Sequence, residues 1–244
     1  MSGEVAKVAA VTGGSAGIGL AICEQLLADG CEVLSLSLGP CPIDHPKLHS
    51  VVVDLTDRAA TAAAAGELAR DFAVTTLVHN AGVIRPARVA DVQLADLDAL
   101  VALHLGCAIQ LLQAVLPAMR AARFGRVVLL SSRAALGLAT RTAYSATKAG
   151  LVGMARTWAL ELAPEGITVN VVAPGPIRTG MFHAVVPVGS DKERALAAAV
   201  PVGRLGEAAD VARAVRFFAD ADAGFVTGQV LYVCGGTSVG GLAL

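Results

Sequence analysis

No run of like charge breaks this sequence, and its 19 basic and 20 acidic side chains leave a formal net charge of -1. That balance supplies no basic field for a nucleic-acid backbone or an acidic membrane surface, so neither is expected as a partner. Cysteine is sparse and unpatterned: Cys23, Cys31, Cys41, Cys107 and Cys234 show no C-x-x-C spacing. They read as cytosolic thiols, most of them small buried hydrophobes, and the expected location is cytoplasmic. The histidines, His45, His49, His79, His104 and His183, share no H-x-x-x-H spacing, so no metal site is expected. The opening stretch from Met1 to Lys7 lacks the apolar core of a signal peptide. Only 16% of residues are charged while 55% are hydrophobic, a surplus of apolar surface that points to subunit interfaces. The most apolar long segment, Leu94 to Met119, carries Asp96, Asp98, His104, Gln110 and Gln113. Those polar groups suit a buried or interface helix better than a membrane span.

At 244 residues, with no repeat or low-complexity linker, the chain is expected to form one domain over 1–244. Val8 to Val11 is a short apolar run that leads into Thr12-Gly-Gly-Ser-Ala-Gly-Ile-Gly19 and an amphipathic stretch stopped by Gly30. This is strand, glycine turn, helix. Gly13 permits the tight turn, Gly17 lets backbone approach a pyrophosphate, Gly19 lets helix and strand pack, and the helix N-terminus faces the anion. Such a turn alone serves equally as a structural corner. The second strand, Glu32 to Ser37, ends in Ser37-Leu38-Gly39-Pro40 with neither acid nor base. The lack of Arg or Lys at Ala16 and Leu38 favours NAD and leaves NADP open.

A loop over Pro40 to His49 precedes a third strand, Val51 to Leu55, whose Asp54 either caps the next helix or meets adenine. A helix over Asp57 to Asp71 and a fourth strand, Thr75 to Gly82, follow. Then come a long helix over Leu97 to Ala122 and a fifth strand from Arg126 that delivers Ser131 and Ser132 at its carboxyl end. A helix over Thr142 to Glu161, a strand over Ile167 to Ala173 and a rigid Pro174 to Thr179 turn come next. Residues 180–204 have the composition of a mobile lid. A helix over Glu207 to Ala219 and a strand within Gly228 to Gly236 close the chain. Alternating strands and helices predict an α/β fold with a parallel, doubly wound sheet.

On the Thr142 to Glu161 helix, Tyr144 and Lys148 form an i, i+4 pair, so a phenol and an ammonium share one face. A phenol titrates near pH ~10, and a cation held close favours the phenolate. By itself that pair is an ordinary surface feature.

Together these residues resemble the short-chain dehydrogenase/reductase family. The matching pieces run in order over nearly the whole chain: Thr12 to Gly19, Asp54-Leu55, Asn80-Ala-Gly82, Ser131-Ser132, Tyr144 to Lys148, Asn170, Pro174-Gly175 with Ile177 and Thr179, and the late Gly-Gly pair. The resemblance implies a Rossmann-type seven-stranded parallel sheet in a three-layer α/β/α arrangement, a nicotinamide cofactor, and hydride transfer between a secondary alcohol and a ketone. Tyr144 would be the acid/base and Ser132, with Ser131 as fallback, would hydrogen-bond the substrate oxygen. Lys148 would bind the nicotinamide ribose and hold the phenolate. The cofactor would contact Gly13, Ser15, Gly17, Ile18, Gly19, Ser37, Asp54, Leu55, Asn80, Ala81, Gly82, Tyr144, Lys148, Pro174, Gly175, Ile177 and Thr179. A homotetramer or dimer is the implied assembly, through the two long apolar helices.

One departure stands out. Where the family pattern has an asparagine in the long helix, this chain has His104. It either joins the proton relay, titrating near neutrality, or is a satisfied core histidine. The substrate pocket is expected around Ile84, Arg85, Arg133, Leu138, Arg141, Met181 and Phe182, largely aliphatic with three arginines in reach of a substrate anion. Each arginine could equally be a surface ion pair. The leading expectation is oxidation of a cyclic or aromatic hydroxy compound in catabolism. Reduction of a 3-oxoacyl thioester on acyl carrier protein or CoA is the alternative, and a non-catalytic dinucleotide-binding sensor or scaffold stays open.

Overall fold

The computed structural model describes residues 7–239. The Met1 to Ala6 stretch that bore on the signal-peptide reading lies outside them. Seven strands alternate with helices: β1 (Val8–Thr12), α1 (Gly17–Ala28), β2 (Glu32–Ser37), β3 (Leu48–Val52), α2 (Arg58–Asp71), β4 (Thr76–His79), α3 (Leu94–Leu100), α4 (Cys107–Ala122), β5 (Gly125–Leu130), α5 (Thr142–Leu162), β6 (Ile167–Pro174), α6 (Gly180–His183), α7 (Asp191–Ala199), α8 (Ala208–Ala219) and β7 (Val230–Val233). All pairings are parallel, in the order β3-β2-β1-β4-β5-β6-β7. The expected doubly wound Rossmann sheet is thus present. The order reverses between β1 and β4, and in open α/β sheets that crevice receives the ligand.

Side-chain alternation builds the three layers. In β1, Val8 and Ala10 face a core shared with Leu68 of α2, Leu111 and Val115 of α4, and Leu151 and Ala155 of α5. Ala9 and Val11 face the other core, with Ile22 and Leu26 of α1 and Val211 and Val215 of α8. β1, β4, β5 and β6 are buried throughout, as strands covered by helices on both faces must be.

Several boundaries differ from expectation. β3 runs from Leu48 to Val52, an edge strand half open to solvent, so Asp54 lies beyond it. Asp57, not Asp54, caps α2, accepting from Ala59 N at 2.7 Å and Ala60 N at 3.1 Å. Asp54 instead accepts from the Thr56 amide and hydroxyl. The long helix starts at Leu94 and is broken by a π-helical turn, Val101–Gly106, with Cys107 N reaching back five residues to Ala102 O. By length and hydropathy this run, Leu94–Ala122, could cross a membrane, but half of its most apolar window is buried within the protein. The segment over 180–204 is fastened by Glu193, which accepts from Gly189 N at 2.6 Å and pairs with Arg178 at 3.2 Å. Arg178 also pairs with Glu207 at 2.8 Å.

Candidate active site

The carboxyl ends of β1, β4, β5 and β6 carry the predicted residues to one edge of the sheet. At β1, Gly13 has φ +69°, and a Cβ there would lie 2.9 Å from Asn80 Nδ2. Glycine is therefore required for the turn to close against β4. Asn80 Nδ2 donates to Thr12 O at 3.1 Å and Gly13 O at 3.3 Å, and the Asn80 and Ala81 amides both donate to the Thr12 hydroxyl at 2.9 Å. The two loops are thus locked together. Helix α1 starts at Gly17 with Ala16 as its N-cap, no capping side chain and no acid in its first turn. Amide donors left uncapped at a helix N-terminus suit a pyrophosphate, so the predicted Gly13, Ser15, Gly17, Ile18 and Gly19 set fits a dinucleotide.

At the end of β2, the buried Ser37 hydroxyl accepts from Ser15 N at 3.2 Å, tying that strand to the glycine turn, and Leu38 projects into solvent. Asp54 and Leu55 follow β3 on the same side of the sheet. Pro174 closes β6 and Gly175 N donates to Val233 O at 2.9 Å. A Cβ on Gly175 would meet Cys234 Cβ at 2.7 Å, so the cysteine packs against this turn. Ile177 is buried, and Thr179 caps α6 by accepting from Phe182 N at 3.2 Å.

The candidate catalytic groups meet between β5 and α5. Ser132 accepts from Ala134 N at 3.1 Å and lies beside the Tyr144 phenol, whose ionisation it favours. Lys148 is buried, and its ammonium donates to Leu130 O at 2.7 Å, with Nζ 5.7 Å from the Tyr144 ring centre. Burial pushes Lys148 down to about 7. Burial also raises the Tyr144 phenol, against the lowering effects of Ser132 and Arg141. The phenolate that sequence spacing suggested is thus not favoured in this arrangement. Lys148 points its charge at a carbonyl rather than at the phenol.

His104 comes from the π-helical turn into the same cluster. Its ring meets Tyr144 edge-on at 5.7 Å, and its Nδ1 lies 2.8 Å from Thr147 Oγ1. The ring is fully buried, and burial together with the Lys148 charge pushes it down to about 2. Titration near neutrality is therefore corrected. The satisfied-core reading holds only in part, because Nε2 is buried without a partner. Sequence reasoning passed over His79, which ends β4 beneath the same cluster. Its position just before Asn80 was the available signal.

Around the entrance, Ile84 and Phe182 are half-buried and Leu138 and Met181 exposed. The three arginines each have protein partners. Arg85 faces Asp96 at 3.7 Å, Arg133 donates to Thr237 O at 3.2 Å, and Arg141 donates to Thr140 O at 3.2 Å. Arg141 is the one whose charge reaches Tyr144. A surface hollow of about 480 Å³ between the end of α5 and Thr227-Gly228 lies at the opposite end of the strands and holds none of these groups.

Residues 13–238 match the family model described as enoyl-(acyl carrier protein) reductase. Among curated proteins, 3-oxoacyl-[acyl-carrier-protein] reductase FabG of Salmonella typhimurium is 36% identical over 239 residues, covering 94% of this chain and 96% of that protein. The (2S)-[(R)-hydroxy(phenyl)methyl]succinyl-CoA dehydrogenase subunit BbsD of Thauera aromatica is 36% identical over 243 residues, covering 96% and 97%. A crystal structure from Beutenbergia cavernae, described as an NAD(P)-dependent gluconate 5-dehydrogenase with NADP bound at low occupancy, has a TM-score of 0.87 at 33% identity and covers 98% of this chain and 99% of that one.

Proposed function

For a chain that belongs to the short-chain dehydrogenase/reductase family, and is accordingly an NAD(P)-dependent oxidoreductase, we propose interconversion of 3-oxoacyl and 3-hydroxyacyl thioesters. One observation carries this reading. The FabG and BbsD relatives, each matched nearly end to end, differ in acyl group and carrier, yet both names specify an acyl thioester. A thioester substrate displaces the free cyclic alcohol as the leading expectation, and an aromatic acyl group remains compatible with it. The aliphatic rim of Ile84, Leu138, Met181 and Phe182 suits an acyl chain. The segment over 180–204 would act as its lid, and Arg141, whose charge reaches Tyr144, would meet an anionic carrier or acyl carboxylate.

In this mechanism Ser132 orients the substrate oxygen and Tyr144 gives it a proton during reduction or takes one during oxidation. Lys148, one helical turn on from Tyr144, would hold the ribose. The nicotinamide, when bound, supplies or accepts the hydride. The glycine turn and the α1 N-terminus would hold the pyrophosphate, and Asn80 to Gly82 with Pro174 to Thr179 would bind the nicotinamide half.

For the cofactor we favour NAD. The solved relative carries NADP. In this chain Ala16 and the exposed Leu38 stand where a 2′-phosphate would need a cation. A cytoplasmic homo-oligomer, tetramer or dimer, is the assembly we propose. Exposed Ile109 on α4, Leu160 on α5 and Phe225 before β7 are its candidate contacts. Light scattering that gives a monomer mass would remove that assembly.

The test of the function is turnover of acetoacetyl-CoA and a 3-oxoacyl-carrier thioester beside free cyclic alcohols, with both nicotinamide cofactors. Turnover confined to the free alcohols would overturn the thioester reading.

A further inference from the structure

Two buried imidazoles lie behind the Tyr144–Lys148 pair, and their surroundings fix which nitrogen of each carries hydrogen. The Thr12 hydroxyl already accepts from the Asn80 and Ala81 amides, so its own hydrogen is directed to His79 Nδ1, 3.1 Å away. His79 is therefore the Nε2–H tautomer. That N–H has no partner within ordinary hydrogen-bond geometry, and it faces the Leu103 and His104 carbonyls of the π-helical turn. Thr147 donates to the carbonyls of Ala143 and Tyr144, each 3.1 Å away, and so receives the His104 Nδ1–H at 2.8 Å. His104 Nε2 is left as a bare lone pair. A Cβ on Gly82 would lie 3.0 Å from that Nε2 and 3.3 Å from Lys148 Nζ, so the glycine leaves open the space where the two atoms converge.

We propose that His104 is a positioning residue for Lys148. Its unpartnered Nε2 lone pair faces the buried ammonium across the space beside Gly82, while the His79 Nε2–H faces the carbonyls of the π-helical turn that carries it. The ammonium, bonded to Leu130 O, then has an imidazole lone pair turned toward it on the Gly82 side. An acceptor at that point favours the charged form of Lys148 against burial. The other groups that face this cluster are Tyr144 from α5, with Arg141 acting on it, and His79 from β4. On the adjoining side Arg58 of α2 approaches Gly106. This inference rests on the reading of Tyr144 and Lys148 as the working pair, and its first test is independent of turnover.

Nitrogen NMR of the cofactor-free protein with 15N-labelled histidine reads the tautomers. The expected result is His104 as Nδ1–H and His79 as Nε2–H, both neutral from pH 8 to pH 5. His104 as Nε2–H, or as a ring protonated above pH 5, would overturn the proposal, because no lone pair would then face Lys148. The second test compares His104→Asn, which keeps an acceptor, with His104→Phe, which has none. The Phe variant is expected to move the basic limb of the reductive kcat/KM profile down by about one pH unit, with the Asn variant near the parent. A Phe variant slowed equally at every pH, with its limb unmoved, would reduce His104 to packing. If the chain turned over no thioester, the NMR result would still decide the placement of His104.

Discussion

The Ser131 hydroxyl donates to the Lys148 carbonyl at 2.7 Å, binding the end of β5 to the second turn of α5. One of the two adjacent serines is thereby committed to structure. Ser132, half-buried and beside the Tyr144 phenol whose ionisation it favours, is the one that faces the reaction space. The two substitutions should separate. Ser131→Ala is expected to lower stability by about 0.5–1.5 kcal/mol in urea unfolding, the net worth of one lost hydrogen bond to a carbonyl that keeps its helical donor. Ser132→Ala should fold normally and lose about 10²–10⁴ in kcat/KM. Equal activity loss in both would contradict the division.

Sequence spacing alone could not make that division, since both hydroxyls sit at a strand end and only the register of α5 against β5 separates them. The fold was far more legible. Periodicity and glycine placement located the other six strands and the main helices that cover them, because burial on two faces leaves continuous apolar runs such as Val127 to Leu130. The edge strand β3 was misplaced because its half-exposed Leu48-His-Ser carries no such run. The π-helical turn was invisible for another reason. Its Val101–Gly106 sequence continues the apolar pattern of its neighbours, and the contact of His104 with Thr147 of α5 joins residues 43 apart in the chain. Spacing could not show the burial that raises the Tyr144 phenol, nor that the Lys148 ammonium points at Leu130 O.

The cofactor preference is open to direct manipulation. Leu38→Arg would place a guanidinium at the end of β2 where the exposed leucine now stands. It is expected to improve kcat/KM with NADP by about 10- to 100-fold, the equivalent of one charge-assisted hydrogen bond. Parent protein that already prefers NADP in the same assay would refute the NAD assignment.

Gly19 offers a packing test. A Cβ at this position would fall inside contact distance of Gly13 backbone and Asn80 Nδ2, neither of which can yield without opening the turn. Gly19→Ala should weaken dinucleotide binding at least 10-fold in a fluorescence titration and lower Tm by several degrees. Binding at the parent level would show that the turn is looser than its contacts imply.

Acid should destabilise the fold earlier than its carboxylates require. His79 and His104 are held at about 3 and about 2 by burial and the Lys148 charge, below the ordinary histidine value near 6.5. Both folded values are depressed, so this stability is fully present above pH 6.5. It is lost as pH falls and the unfolded chain takes up protons that the folded chain refuses. Urea unfolding free energy is expected to drop between pH 6.5 and 5 with a limiting slope of about 2.7 kcal/mol per pH unit for the two groups. A flat profile across that window would mean that both rings take up protons in the folded protein, and a slope of half that size that one does.

The central claim is a thioester oxidoreductase that works through Tyr144, and one assay reaches it most directly. Consumption of NADH and of NADPH would be followed by absorbance with acetoacetyl-CoA, a 3-oxoacyl-carrier thioester and a panel of free cyclic ketones, for the parent and for Tyr144→Phe. The account predicts thioester turnover that falls by at least ~10²-fold in the variant while dinucleotide binding persists. Turnover of the free ketones alone, or thioester turnover unchanged in the variant, would contradict it.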